Sequence, residues 1–412
     1  MSFRVSRREF VTNSALALPA AGVIGLQGTD SPPRGMKPMR IVGLEAIRLS
    51  KPLTERFWMS LRPIGGYRPK ASRLILKVHT DAGITGYGEG RGGAELLKKG
   101  FQELILGEDP FMVERVWNKM FKTTFSRESA IKGWDQRETL RLMAAIDAAL
   151  WDIMAKAAGL PLYKLLGGYT DKIPVYVTGG YYREGKGIRE LVEEIEGYVA
   201  QGFNAVKLKV GGVSVDEDVE RIRAVRKAVG DNVRIMLDAN KGWDVPTTIE
   251  ASNKLYELNI TWLEEPLHWY DDVQSLIRVK KNTRIPLASG EGEITRFGAR
   301  ILMETGAIDF MQFDCHKNTG ITEWLKIAGM ASMYHIWMAP HHEPPLHGHL
   351  LGSVPNGYIL ESFANPDRDP FWFEIYDRKP SIKNSILTLP DEPGMGIEFN
   401  AKALSKYGTK IV

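Results

Sequence analysis

The chain has 412 residues, 43% hydrophobic and 25% charged, a composition that fits a globular protein with a large core and excludes a disordered or fibrous one. The formal charge of +4 does not point to nucleic acid. Six of the 54 Lys/Arg and two of the 50 Asp/Glu fall within residues 1–40, leaving 48 of each sign elsewhere, whereas a phosphate-tracking surface needs cations clustered in excess of acids. The single cysteine, Cys315, excludes internal disulfides and thiolate metal sites.

The basic beginning comes first. SRREF at residues 6–10 places Arg7 beside Arg8, and ALALPAAGVIGL at 15–26 is a weakly apolar run rich in small residues. Charge, apolar run and small residues in that order resemble a twin-arginine export signal. The run is interrupted by Pro19 and is too short to span a bilayer, and no cysteine follows it for lipid attachment. The expectation is a periplasmic or otherwise exported protein whose mature form starts between residues 21 and 38; a cytoplasmic chain is expected if residues 1–38 are no signal.

From Met39 the pattern is that of folded structure. RLILKVHT and ITGYGEG flank the turn DAG and predict a β-hairpin. The glycines of GYGEGRGG lack the strand, turn and helix context of a phosphate-binding loop and read as turn residues. A helix is predicted from Arg137, with Leu140, Met143, Ala144, Leu150, Trp151 and Met154 at helical spacing and Gly159 and Pro161 ending it. This half reads as α+β.

After about residue 172, eight short runs alternate with helical stretches: PVYVTGG, NAVKLKV, RIMLDAN, TWLEEP, PLASGE, DFMQFD, IWMAPH and YILE. Eight such units predict an α/β fold closed as a TIM-type (β/α) barrel. Seven runs end in a charged or imidazole group: Lys209, Asp238, Glu264, Glu291, Asp314, His341 and Glu361. Carboxyl ends of barrel strands surround one mouth, where barrel active sites lie.

Within AVKLKV, Lys207 and Lys209 share one face of a strand and Val206, Leu208 and Val210 the other. If the lysine face is the barrel interior, each ammonium needs a carboxylate partner. Asp238, Glu264 and Glu291 come from three consecutive runs and would repel one another without a cation. One acid at a strand end ordinarily caps the next helix, but three in successive repeats suit a hard, octahedral divalent ion such as magnesium, with no histidine on those runs to favour zinc.

Taken together, KLK, DAN, WLEEP, SGE, FD, APHH and LE on strands two to eight resemble the enolase superfamily and, within it, the mandelate racemase subgroup. The resemblance covers residues 39 to 412 and implies an N-terminal capping domain at 39–170, the barrel at 171–375 and a segment at 376–412 that returns to the cap, after an export segment at 1–38. It implies Asp238, Glu264 and Glu291 as magnesium ligands and Lys209 as the base on one face of the substrate. Lys207 would neutralise the substrate carboxylate and lower the pKa of Lys209. His341 with Asp314 matches the acid/base dyad of the opposite face, Glu361 matches a group that hydrogen-bonds the substrate carboxylate as it becomes an enediolate, and Asn240 matches a polar substrate contact. His342, His347 and His349 read as structural.

The implied chemistry is removal of the α-proton of a carboxylate, giving an enediolate that a metal and cationic donors stabilise. Loss of a β-hydroxyl then gives an acid-sugar dehydratase; reprotonation on the other face gives a racemase or epimerase. DAN lacks the histidine that galactonate dehydratase-like enzymes place after this aspartate, which argues against that branch alone. Specificity should come from the cap loop KPLTERFWMSLRPIGGYRPK at 51–70, where Trp58, Tyr67 and Arg68, with Arg56, Arg62 and Lys70, suit a hydroxylated acid. The expected partners are a small carboxylate substrate and further copies of the chain in a homo-oligomer, with no nucleic acid and no membrane span. A binding protein for acidic sugars without turnover is the alternative of another class.

Overall fold

The computed structural model describes residues 39–60, 69–124, 126–268 and 273–412. The segment 1–38 read as an export signal, and Arg62, Tyr67 and Arg68, therefore lie outside the described residues. Three antiparallel strands begin the described residues: β1 (Ile41–Pro52), β2 (Lys70–Thr80) and β3 (Thr85–Gly90), with β2 and β3 joined through Gly83 at φ 76°. A late strand, Gly408–Lys410, pairs with β1 on its free side.

The helix Gln136–Ala158 lies across this sheet. The Asp135 side chain accepts from the Glu138 N–H at its start, and Gly159 ends it in the left-handed conformation at φ 69°. The glycines read from sequence as turn residues have a different role: Gly86, Gly88 and Gly90 are strand residues on the face against this helix. A Cβ at Gly86 would stand 2.0 Å from Ala149 O, one at Gly88 1.9 Å from Ala145 O and one at Gly90 2.7 Å from Arg141 O. The period of two in glycine thus matches the pleat and lets strand and helix backbones touch. Since a backbone oxygen cannot swing aside, Gly88→Ala is expected to cost about 1–3 kcal/mol or more of stability; an unchanged denaturation midpoint would mean that the strand can lift from the helix.

The barrel follows with β4 (Lys172–Gly179), β5 (Ala205–Lys209), β6 (Arg234–Asp238), β7 (Ile260–Glu264), β8 (Leu287–Ser289), β9 (Phe310–Met311), β10 (Trp337–Met338) and β11 (Leu360–Ser362). Neighbours are parallel, and β11 pairs with β4 while Met338 bridges to Gly357, so the sheet closes. After β11 the chain forms a hairpin of Ser381–Lys383 and Ile386–Thr388, whose second strand pairs antiparallel with β4, and only then returns to β1. Among the described residues no helix is long and apolar enough to cross a membrane.

Alternation along the strands divides the barrel interior into two layers. Tyr176, Ala205, Met236, Trp262, Ala288, Phe310, Ala339 and Ile359 form a buried plug, while Val206, Leu208, Ile235, Leu237 and Leu263 point outward into the shell beneath the helices. Two residues further along most inward-facing rows come the polar groups, beginning with Lys207 above Ala205 and Asp238 above Met236; on β8 the residue two beyond Ala288 is Gly290, and Glu291 follows it. Register sets Lys209 beside Asp238 and Asp238 beside Glu264.

Candidate active site

Above the plug lies a cavity of about 320 Å³, bounded below by Lys209, Asp238, Asn240, Glu291, His341 and Glu361 and on the cap side by Arg73, Arg91 and Arg141. The sequence-predicted residues occupy three positions relative to it: at the base, on the wall and away from it.

Lys207, Glu264 and Glu361 are buried at the base. Lys207 Nζ donates to Glu264 Oε1 and Oε2 at 2.8 and 2.9 Å and lies 3.1 Å from Glu361 Oε1. Glu264 Oε2 also accepts from Gln312 Nε2 at 2.6 Å and Trp262 Nε1 at 3.2 Å. Burial followed by the Asp238 carboxylate pushes the Glu264 carboxyl up to about 7, against the pull of Lys207. Glu361 is held well below the usual carboxylate range despite its burial, because Lys207, His341 and Lys209 surround it.

Lys209 pairs with Asp238 Oδ2 on the wall. The effect expected of Lys207 on it is present but is not decisive. Burial and Lys207 press the Lys209 ammonium down, yet Asp238 and Tyr181 raise its pKa above the ordinary lysine value, because a contacting anion outweighs a like charge that is itself neutralised. Lys207 is likewise raised well above that value, against its burial, by Glu264 and Glu361. It does not line the cavity.

Across the ring, β10 delivers His341 and β9 delivers Asp314. Asp314 Oδ1 accepts from the backbone N–H of His316 and Lys317 at 2.9 and 3.1 Å, and Oδ2 takes His341 Nδ1 at 2.9 Å. That bond fixes the imidazole, leaving Nε2 toward the cavity, 3.4 Å from Glu291 Oε2 and 3.7 Å from Glu361 Oε2. Burial would raise Asp314, but His341 and Lys317 hold it below the ordinary aspartate value. β5 and β10 are separated by β4 and β11, so Lys209 and His341 stand on different sides of one space.

Glu291 leans toward Lys317 and His341, at 3.5 and 3.4 Å, and these outweigh burial to hold it low. Among the described residues no three acidic or imidazole side chains are grouped as ready metal ligands, since the lysines occupy the carboxylates. Asn240 is held at φ 42° with its N–H on Asp238 Oδ1 at 2.8 Å, and its side-chain oxygen is buried without a hydrogen-bond partner among the described residues, as is Glu361 Oε2. Trp58 stands away from the cavity: its ring stacks on Tyr182 at 6.2 Å, and the two backbones pair.

Several lining residues escaped sequence reading. Lys317 follows β9 in a loop and reaches His341 Nε2 at 3.4 Å. Arg73 of β2 meets Glu89 at 2.6 Å, Asp369 at 3.3 Å and Glu343 at 3.5 Å. His342, expected to be structural, lines the cavity and pairs with Asp369 at 3.2 Å; burial opposes its charge, but Asp369 and Glu343 push its pKa up to about 9. His347 and His349 are buried away from the cavity on the backbone oxygens of His342 and Met395. Only the polar pair HH was a signal for His342.

Residues 190–403 match the family described as Enolase C-terminal domain-like, and residues 64–167 match the mandelate racemase / muconate lactonizing enzyme N-terminal domain. The chain belongs to the mandelate racemase/muconate lactonizing enzyme family. Within this family it is 32% identical over 357 residues to arabinonate dehydratase of Saccharolobus solfataricus, covering 82% of this chain and 91% of that one. It is 29% identical over 355 residues to D-galactarolactone cycloisomerase of Agrobacterium fabrum, covering 82% and 92%. A mandelate racemase/muconate lactonizing enzyme from a marine actinobacterium, solved in complex with magnesium, superposes with a TM-score of 0.80 at 36% identity over 90% of this chain and 99% of that one.

Proposed function

We propose that the chain is a magnesium-dependent acid-sugar dehydratase. The reading is carried by one observation: Lys209 and a His341 oriented by Asp314 stand on different sides of one cavity floored by carboxylates. Support also comes from the arabinonate dehydratase likeness and from the magnesium in the marine actinobacterial relative.

The donor set fits that ion. Asp238, Glu264 and Glu291 are hard oxygen ligands at the ends of consecutive strands with no thiolate among them, the donor chemistry that suits magnesium. Bound magnesium supplies positive charge where a second negative charge develops on the substrate carboxylate. Lys209, in its neutral amine form, takes the α-proton and becomes the ammonium that Asp238 pairs with. His341 gives its Nε2 proton to the departing β-hydroxyl, which leaves as water, and the resulting enol becomes a 2-keto-3-deoxy acid. The unpartnered Asn240 oxygen accepts from a substrate hydroxyl.

A library of aldonic, aldaric and uronic acids offered with magnesium should yield a 2-keto-3-deoxy product from at least one member. Tight binding with no product from any would favour a binding protein. Conversion to a stereoisomer or lactone would favour the isomerase reading, which the Agrobacterium relative supports. Export through Arg7 and Arg8 is part of the proposal, and intact first residues on a cytoplasmic chain would overturn that part.

A further inference from the structure

The cap side of the cavity carries two cations that the chemistry above does not use. Arg91 and Arg141 both line it. Arg73, on the same wall, is matched by Glu89, Asp369 and Glu343. The guanidinium groups of Arg91 and Arg141 make no hydrogen bond, ion pair or ring contact among the described residues.

Their proximity is built into the fold. Arg91 directly follows Gly90, the glycine whose absent Cβ lets β3 approach the Arg141 carbonyl oxygen. The close packing of glycine on helix therefore brings the two cationic residues to one edge of the cap. Arg141 also lies in the second turn of the helix Gln136–Ala158, near its positive end, and one turn after Arg137. A cation near a helix N-terminus and a like charge four residues away both disfavour it. Burial first, and then Arg91 and Arg137, press the Arg141 guanidinium below the ordinary arginine value, with Asp314 and Asp135 opposing only in part. An anion entering the cavity would relieve this repulsion.

We propose that Arg91 and Arg141 bind a second anionic group at the far end of the substrate, and that the substrate is an acyclic sugar diacid rather than a monoacid. This rests on the sugar-acid reading above and deepens it. One carboxylate of the diacid lies at the barrel floor between Lys209 and His341; the other lies under the cap, where two guanidinium forks match its plane and charge. A cavity of about 320 Å³ is at the small end for ligand sites and suits a short acid rather than an oligosaccharide. A phosphate ester at the far end of an aldonic acid offers the same kind of charge, so the test must separate the two.

Binding is measured by calorimetry in magnesium on the Lys209→Met variant, which removes the complication of turnover. The ligands are the stereoisomeric hexaric acids, the matching hexonic acids and their 6-phosphates. A hexaric acid is expected to bind about tenfold to a hundredfold more tightly than the hexonic acid of the same configuration. Adding Arg141→Gln should bring that ratio close to one, and Arg141→Lys, which keeps the charge but not the fork, should restore part of it. A thermal transition matching the parent's identifies the folded variants. Equal or tighter binding of hexonic acids, or equal weakening of mono- and diacids by Arg141→Gln, overturns the proposal. Tightest binding of a 6-phosphate overturns the diacid assignment in favour of a phosphorylated substrate. If no acid of any kind binds, the sugar-acid reading itself fails, a result distinct from the loss of preference alone.

Discussion

In deuterium oxide the His341→Asn variant is expected to return its substrate carrying deuterium at the α-carbon while forming no product, whereas Lys209→Met forms no product and exchanges nothing. The two groups act at different steps. Lys209 reaches the α-proton from β5, and its ammonium exchanges protons with solvent before returning one. His341 is needed only when the hydroxyl leaves, and losing a general acid there costs about 10²–10⁴-fold in turnover. Asparagine keeps a polar group of similar reach beside Asp314 Oδ2, so the floor of the cavity stays assembled. Full dehydration by His341→Asn, or exchange by Lys209→Met, would mean that the roles are wrongly divided. Under a racemase, the same histidine variant would exchange only one stereoisomer and the wild type would make no keto acid.

Glu264→Gln is expected to weaken magnesium binding at least a hundredfold, beyond the roughly 10–100-fold typical of losing a mere supporting partner. Shape is kept and one of three anionic oxygens is removed. The same change withdraws the closest partner of Lys207, whose Nζ lies 2.8 Å from Glu264 Oε1, leaving Glu361 at 3.1 Å to hold the charge. Breaking a buried pair can cost about 3–5 kcal/mol, so affinity by calorimetry is to be read beside the unfolding transition in a chelator. A folded variant with unchanged magnesium affinity would remove Glu264 from the metal site.

What sequence could reveal follows from which interactions are periodic. Charged residues at the ends of Lys209, Asp238 and Glu264 strands recur with the βα repeat, and a period of two in KLK assigns a face, so barrel and mouth were readable. Lys317 has no such rhythm, because it leaves β9 in an irregular loop and its partners are set by tertiary contact. The glycines of β3 do have a rhythm, but glycine serves turns and close approach alike, and only the helix laid against them decides. Arg91 and Arg141 belong to separate elements of the cap whose meeting no local pattern announces. Contact with Asp238 likewise outweighs the lowering expected from Lys207 at Lys209, since the balance of two neighbours depends on distances of a few ångströms.

The pairing of Gly408 with Leu49 and of Lys410 with Ile47 has a consequence for assembly. β2 and β3 can find β1 as soon as they emerge from the ribosome, but the fourth strand of that sheet is made only after every stave of the barrel. Contacts so distant in sequence are slow to form, because a long loop must close first. The barrel can thus mature beneath a cap whose outer edge is still open, with the strand edge beside Ile47 exposed to any passing extended segment. Deleting residues 408–410 should reproduce that nascent state in the finished protein: a metal-competent barrel under a cap prone to strand exchange.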